Sequence, residues 1–345
     1  MINSGVNVLI AGIGGASLGT EIFKCLRIAG GYNIYGCDIS KYAYGHYQEG
    51  FVRTFLVDRI KYIDSVKQIC LDYGIKVVVP GGEEPSILMS SSVEEFEKEG
   101  IFIAGNSPEV VRICSDKAML FKKLEELGVP IPKTFVVSSE DDLRKYEIPY
   151  PCVVKPASGT GGSHLVFFAR NPEDARMYAR YILENGAVSL VQEYIGLDEG
   201  EYTVGVLSLT DGFLVGSIAM QRIFHTKLSI ALKLKDALIS SGYSQGLIED
   251  FPGIRAQAEK ISKILGSRGP MNIQGRVKND VFLPFEINPR FSASTYLRAL
   301  AGFNEVDMFI RYIIFGEKPK HISIRPGYYL RSFSELYVPK EDLKQ

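Results

Sequence analysis

The sequence predicts an α/β protein that turns to α+β character after its first third. Three observations carry that reading. Short apolar strands alternate with helical stretches up to about residue 114, a glycine-rich segment joins two strands near residue 160, and a late strand pair has one apolar and one polar face.

With 345 residues, 46% of them apolar and 23% charged, the chain has length for about two domains and a core that needs no staples. That composition excludes a disordered or low-complexity protein. Lys plus Arg (39) nearly cancel Asp plus Glu (40), leaving a net charge of -1, so neither nucleic acid nor a membrane surface is an expected partner. Cys25, Cys37, Cys70, Cys114 and Cys152 are odd in number and form no Cys-x-x-Cys pair, so they read as buried small residues in a reducing compartment. No Lys or Arg precedes Lys24 and no apolar run is long enough to cross a bilayer; the expectation is a soluble, cytoplasmic protein.

Residues 6–11 form a strand, apolar but for Asn7, that runs into Gly12, Gly14, Gly15 and Gly19, followed by a helix over 20–29. Strand-like runs recur at 32–37, 75–79 and 101–104. Val66, Ile69, Cys70 and Tyr73 recur at i, i+3, i+4 and i+7, the stripe of a helix with Asp64 as its expected N-cap. Ser107-Pro108-Glu109 opens another helix. Gly12 and Gly14 fit a dinucleotide fingerprint and Asp38 ends the second strand, but Ser17 takes the third glycine's place. The other reading is that these glycines let the loop turn and the helix approach the sheet. The loop 80–85 follows another strand's carboxyl end, where open α/β sheets bind ligands, which makes Glu83 a candidate substrate residue; capping of the next helix is the alternative.

From residue 115, Leu120, Leu124 and Leu127 mark a helix, residues 128–132 stop it, and 134–137 form a strand. Ser138 is the expected cap of a short helix around 141–146. Residues 152–156 lead through Ala157-Ser158-Gly159-Thr160-Gly161-Gly162-Ser163 into a strand over 165–169. No lysine follows the last glycine, so this is not the strand-to-helix phosphate loop. Seven small residues still let backbone N–H groups approach a polyphosphate and let the tip close as a lid, with Lys155 adding a fixed positive charge. A strand over 188–192 runs into Glu193-Tyr194-Ile195. Strands over 201–209 and 213–219 form a hairpin around Asp211-Gly212, and a helix covers 253–265.

Residues 271–277 and 281–287 read as strands joined by 278–280. Period-two alternation sends Ile273 and Val277 one way and Asn272, Gln274 and Arg276 the other. Leu283, Phe285 and Ile287 are expected to share the apolar face, with Glu286 and Asn288 opposite and Gln274 across the ladder from Glu286. Gln274, Glu286 and Asn288 together supply the oxygens a hard cation such as magnesium takes, and Arg290 stands one strand period on, placed to neutralise a transferring phosphoryl group.

These residues resemble the ATP-grasp superfamily, and within it a single synthetase unit of the carbamoyl phosphate synthase large subunit. The resemblance implies a Rossmann-like pre-ATP-grasp domain (1–114), a small subdomain with the lid (115–192), a C-terminal subdomain (193–330) and a tail (331–345). It implies ATP phosphates on Lys117 and Lys155, and a lid of Gly159, Thr160, Gly161, Gly162 and Ser163. Adenine would sit at the hinge Glu193, Tyr194 and Ile195, and Glu201 would hold the ribose. Magnesium, with manganese as a substitute, would lie on Gln274, Glu286 and Asn288, and Arg290 would be the catalytic arginine. Many relatives carry Glu where Gln274 stands; the glutamine favours the synthase branch. Ala293 occupies the place of the synthase's second arginine, which leaves the acceptor open. Arg222, His225 and Lys227 are candidates for the acceptor carboxylate, a solvated loop being the other reading.

The implied activity is an ATP-dependent, ADP-forming carboxylate-amine ligase working through an acylphosphate on small-molecule substrates, with a homodimer as the default assembly. A non-catalytic ATP-binding module and a nicotinamide-dependent oxidoreductase using Gly12 to Gly19 and Asp38 are the alternatives.

Overall fold

The computed structural model describes residues 5–158, 165–319 and 322–345. Gly159, Thr160, Gly161, Gly162 and Ser163, the expected lid, lie outside the described residues. Strands β1 (Val6–Ala11), β2 (Tyr32–Asp38), β3 (Arg53–Leu56), β4 (Val77–Pro80) and β5 (Phe102–Ile103) form a parallel sheet in the order β3-β2-β1-β4-β5. Its crossovers carry α1 (Leu18–Ala29), α2 (Tyr62–Asp72), α3 (Glu83–Ser90) and α4 (Val93–Lys98), and α5 (Pro108–Ser115) follows the last strand. β1 is apolar throughout its buried part because both faces are covered. Leu9 and Ala11 pack with Val66, Cys70 and Phe96, while Val8 and Ile10 pack with Ile22 and Leu26. α2 is capped at Lys61, and Asp64 lies in its first turn, where a carboxylate suits the positive end of the helix without capping it.

An antiparallel sheet follows, in the order β6-β9-β7-β8, from β6 (Thr134–Val137), β7 (Cys152–Pro156), β8 (Phe167–Ala169) and β9 (Ser189–Glu193). α6 (Lys117–Glu126) precedes it, capped by Asp116 on the Met119 N–H at 2.9 Å. α7 (Pro172–Glu184) is capped by Asn171. The turn at Glu140–Arg144 is capped by Ser139 together with Asp142, one residue later than expected.

The rest builds a six-stranded antiparallel sheet in the order β16-β15-β10-β11-β14-β17. Its strands are β10 (Glu201–Ser208), β11 (Leu214–Arg222), β14 (Gly246–Glu249), β15 (Pro270–Lys278), β16 (Val281–Asn288) and β17 (Gly327–Tyr329). β12 (Ile230–Lys233) and β13 (Leu238–Ser240) form a separate pair; α8 (Pro252–Ile264), α9 (Thr295–Leu300) and α10 (Glu305–Phe315) complete the chain. Helices α9 and α10 pack on α1, so Val8, Ile10 and Ile22 share one core with Leu207, Met220, Phe303 and Phe309. This junction turns the carboxyl end of the parallel sheet toward the late strand pair.

The β15–β16 register pairs Gln274 with Glu286 and Asn272 with Asn288, as the alternation demands, and then shifts: Gly275 faces Pro284. Phe285 has no opposite residue in this register, which is a bulge, and the parity of β16 inverts beyond it. Phe282 and Ile287 therefore enter the core, whereas Leu283 and Phe285, expected there, are only half-buried. Gly275 is required at this point, since a Cβ would meet the Phe282 ring at 2.6 Å. All five cysteines are buried and free, and among the described residues no helix is long and apolar enough to cross a membrane.

Candidate functional site

A cleft opens between the two antiparallel sheets, and β7, β9, β13, β15, β16 and the start of α3 contribute to its walls. On β7, Cys152 and Val154 face the core and Lys155 faces the cleft. The Lys155 ammonium donates to Gln192 Oε1 at 2.8 Å and to the Phe285 carbonyl at 2.9 Å, the oxygen of the bulged residue. Among the described residues two of its three protons are thus used. Burial pulls the Lys155 pKa down to about 7; the Lys117 charge adds to that and Glu286 opposes it. Lys117 opens α6, whose first N–H donates to Ala157 O at 2.8 Å, tying the helix start to the end of β7. Both lysines line the cleft.

Glu193, Tyr194 and Ile195 also line it. Burial raises the Glu193 carboxyl, but the Lys278 ammonium at 2.7 Å and the Lys133 N–H outweigh this and hold it below the usual carboxylate range. Glu193 and Tyr194 spend their N–H groups on Lys133 O and Pro151 O, and Ile195 O accepts from Arg276 at 2.6 Å. The Ile195 N–H has no partner among the described residues.

Gln274, Glu286 and Asn288 stand together on the opposite wall. Gln274 Nε2 donates to Glu286 Oε2 at 2.9 Å, leaving Glu286 Oε1 without a partner among the described residues. Asn288 Oδ1 receives a long 3.3 Å bond from Arg290, whose other amino group donates to Phe291 O at 2.9 Å and whose Nε is buried with no partner among the described residues. Burial lowers the Arg290 pKa, opposed by the carboxylates of Glu83 and then Glu286. Glu83, at the first position of α3, lines the cleft beside Arg290, and its side chain makes no hydrogen bond or ion pair among the described residues. Among the described residues no group of three His, Cys, Asp or Glu side chains is placed to hold a metal. One free carboxylate oxygen with neighbouring amide oxygens does suit a hard cation that takes its remaining ligands from phosphate and water.

Several expected residues lie elsewhere. Glu201, expected on a ribose, is fully buried, with one oxygen 2.8 Å from Arg276 Nε and the other 3.1 Å from Arg222 Nη1. The register places Glu201 directly opposite Arg276, which leaves its carboxylate behind the cleft wall. Arg222, expected at the acceptor, is also fully enclosed: it donates to Glu201, to Gln274 at 3.4 Å and to the carbonyls of Ser241 and Tyr243. His225 and Lys227 are exposed and off the cleft walls, because the chain turns outward between β11 and β12.

Gln192 and Arg298 are supporting residues that escaped the sequence reading, and Asn272 and Arg276, read on the polar face of their strand, were assigned no role of their own. Arg276 holds Ile195 O, Leu238 O and Glu201 while lying 4.9 Å from the Tyr194 ring centre. Asn272 Oδ1 accepts from Thr203 at 2.9 Å and from the buried Arg298, which pairs with Glu305 at 3.2 Å. Arg298 crosses β10 only because Gly205 has no Cβ, which would stand 2.4 Å from its Nη1. Gln192 had a signal: it alternates with Val191, which faces the core, so period two aims it into the cleft.

The glycine loop after β1 is filled by protein. Asp38 accepts from Ile13 N at 2.8 Å and Ser40 N at 2.9 Å, and Gly45 N donates to Ile13 O at 2.9 Å. A Cβ on Gly15 would meet Tyr44 at 2.9 Å, and Cβ atoms on Gly19 and Gly81 would both meet Gly12 O at 1.9 Å. These glycines serve close approach of loop and helix, and Asp38 is committed to backbone donors.

A lysine-bearing sheet and a carboxylate-amide strand pair line one cleft. The ATP-grasp domain profile matches residues 114–294, more than half of the chain. The chain belongs to the ATP-grasp family, a superfamily of ADP-forming ligases whose enzymes use ATP and magnesium. It is similar to the carbamoyl phosphate synthase large chain of Rubrobacter xylanophilus, 26% identical over 261 residues, which is 72% of this chain and 23% of that protein. The chain thus spans about a quarter of that relative's length. Similar solved structures include N5-carboxyaminoimidazole ribonucleotide synthetase from Thermotoga maritima (21% identity, TM-score 0.61, 93% of this chain and 79% of that one). Another is the biotin carboxylase domain dimer of Hydrogenobacter thermophilus 2-oxoglutarate carboxylase, in complex with MgADP, ADP and bicarbonate (19%, 0.65, 93% and 73%). At these identities the two structures establish the fold.

Proposed function

We propose that this protein is an ADP-forming ligase that joins a small carboxylate to an amine, with ATP in the cleft between the two antiparallel sheets. The single observation that carries the reading is that Lys155, Glu286 and the segment Glu193 to Ile195 line one cleft. Residues 1–114 would form the pre-ATP-grasp domain, 115–192 the lid-bearing subdomain, 193–330 the C-terminal subdomain and 331–345 a tail. The Ile195 N–H would meet the adenine, Lys117 and Lys155 the phosphates, and the segment Gly159 to Ser163 would close over them.

Glu286, Asn288 and Gln274 would hold magnesium, or manganese in its place; the ion supplies charge neutralisation on the phosphates. A carboxylate oxygen of the acceptor attacks the γ-phosphorus, the bond to the bridging oxygen breaks, and ADP leaves. The amine then displaces phosphate from the acylphosphate. Arg290 neutralises the charge that develops on the transferring group, and positioning supplies most of the remaining acceleration. Glu83, a carboxylate without a partner beside Arg290, would receive the ammonium of the acceptor. Incubation with ATP, magnesium and pooled amino acids tests this: amine-dependent ADP release with a condensed product in the mass spectrum is expected, and tight ATP binding without any turnover would overturn the reading.

Lys155 gives the site a pH dependence. With its pKa held to about 7, the ammonium of the ligand-free protein is charged below that pH and neutral above it. ATP affinity is therefore expected to fall as pH rises through 7, by up to about tenfold per unit. Lys155→Met should bind weakly throughout, with the step removed. Titration calorimetry at several pH values reads both, and an unchanged step in the variant would assign it to another group.

A further inference from the structure

We propose that Arg331 is a positioning residue for the acceptor end of the cleft, acting from a strap formed by residues 327–345. The strap begins as β17 on the edge of the six-stranded sheet, where Tyr329 pairs with Gly246. Arg331 then turns inward. Its side chain is 7% exposed and pairs at 3.1 Å with Glu21 of α1, itself 5% exposed. The same amino group donates to the carbonyl of Ala293, three residues after Arg290.

Two loops that wall the cleft share this clamp. One is 291–294, which lines it through Ser292, Ala293 and Ser294 and is held by the guanidinium. The other is 241–245, which lines it through Ser241, Gly242 and Ser244. Arg331 N donates to Gln245 Oε1 at 3.2 Å, and Phe333 packs edge-on against Tyr243 with ring centres 5.1 Å apart. The far end of the strap is fixed to the parallel-sheet unit by Ser334 on Tyr44 at 3.0 Å and by Lys344 on Thr54 O at 2.6 Å. No strap residue lines the cleft, so Arg331 acts through the loops it holds. Glu21 also takes the Lys24 ammonium at 2.8 Å, so its carboxylate stays in place to fix the buried guanidinium, whose one ion pair among the described residues is with Glu21.

The acceptor role rests on the ligase reading; the clamp itself does not. Hydrogen exchange of peptides covering 241–245 and 291–294, MgADP affinity and acceptor-dependent ADP release are measured on the full chain for wild type, Arg331→Ala, Arg331→Lys and Phe333→Ala. Arg331→Ala is expected to speed exchange in both loops about tenfold or more, leave MgADP affinity within about twofold and raise the acceptor KM, with Arg331→Lys restoring most of the protection. Phe333→Ala should loosen 241–245 alone, and it decides the matter if Arg331→Ala does not fold. Unchanged exchange in both loops, or equal loosening everywhere with loss of MgADP binding, would overturn the proposal. A wild type without turnover would sink the ligase reading and leave the exchange and MgADP results to decide the clamp.

Discussion

Glu286→Ala is expected to lower magnesium-dependent ATP turnover by about 10²–10³-fold, the usual cost of removing one charge-stabilising group, while the protein stays folded. Glu286 is half-buried and directly opposite Gln274, and the only hydrogen bond of its carboxylate among the described residues is the one from Gln274 Nε2. Truncation strands one amide rather than a buried charge, so the fold loses little. Its free oxygen, by contrast, is the one carboxylate ligand of the proposed ion. Steady-state ADP release across a magnesium titration, alongside a thermal melt, separates the two effects. Wild-type turnover in the variant would refute the ligand assignment.

Glu201→Ala is expected to behave in the opposite way, destabilising the protein by about 3–5 kcal/mol, because two buried guanidinium groups lose their shared counter-charge. Both side chains of the Arg222–Glu201 pair are wholly enclosed, and Arg276 is 7% exposed. Arg276 also holds the carbonyl of Ile195, so unfolding of this corner and loss of the cleft wall at Ile195 are coupled. Denaturant unfolding monitored by circular dichroism gives the stability, and nucleotide titration of the fraction that remains folded gives the affinity. A ribose ligand would show the reverse pattern, an intact stability curve with a large loss of affinity.

The contrast between these two glutamates marks what the sequence can disclose. The two-residue period made Gln274 and Glu286 legible as polar residues of a facing strand pair, but the register set at the turn, with Lys278 opposite Val281, would carry Phe285 to Gln274; the bulge at Phe285 brings Glu286 there instead. The bulge one residue later had only a faint signature: Pro284 in a strand, which is tolerated at sheet edges and bulges, and β16 is an edge strand. Missing it put Leu283 in the core instead of Phe282, and hid the carbonyl that fixes Lys155.

Glu201 reads as any acidic residue at a strand start; that Arg222 and Arg276 enclose it depends on pairing across strands 21 and 75 residues away. The same holds for Arg331, whose partners lie 310 and 38 residues distant. The short strands β3, β12, β14 and β17 carry too few residues to show a period. α10 had a readable stripe, Val306, Phe309 and Ile310, and this stripe joins the late helices to the core of the parallel sheet.

The most direct measurement of the central claim is a crystal structure of the protein soaked with magnesium and a non-hydrolysable ATP analogue. Density for the triphosphate between Lys155 and Glu286, with the base against Ile195, is the result expected. Nucleotide lodged beside the glycine turn at Gly12, with the cleft between the antiparallel sheets left empty, would contradict it.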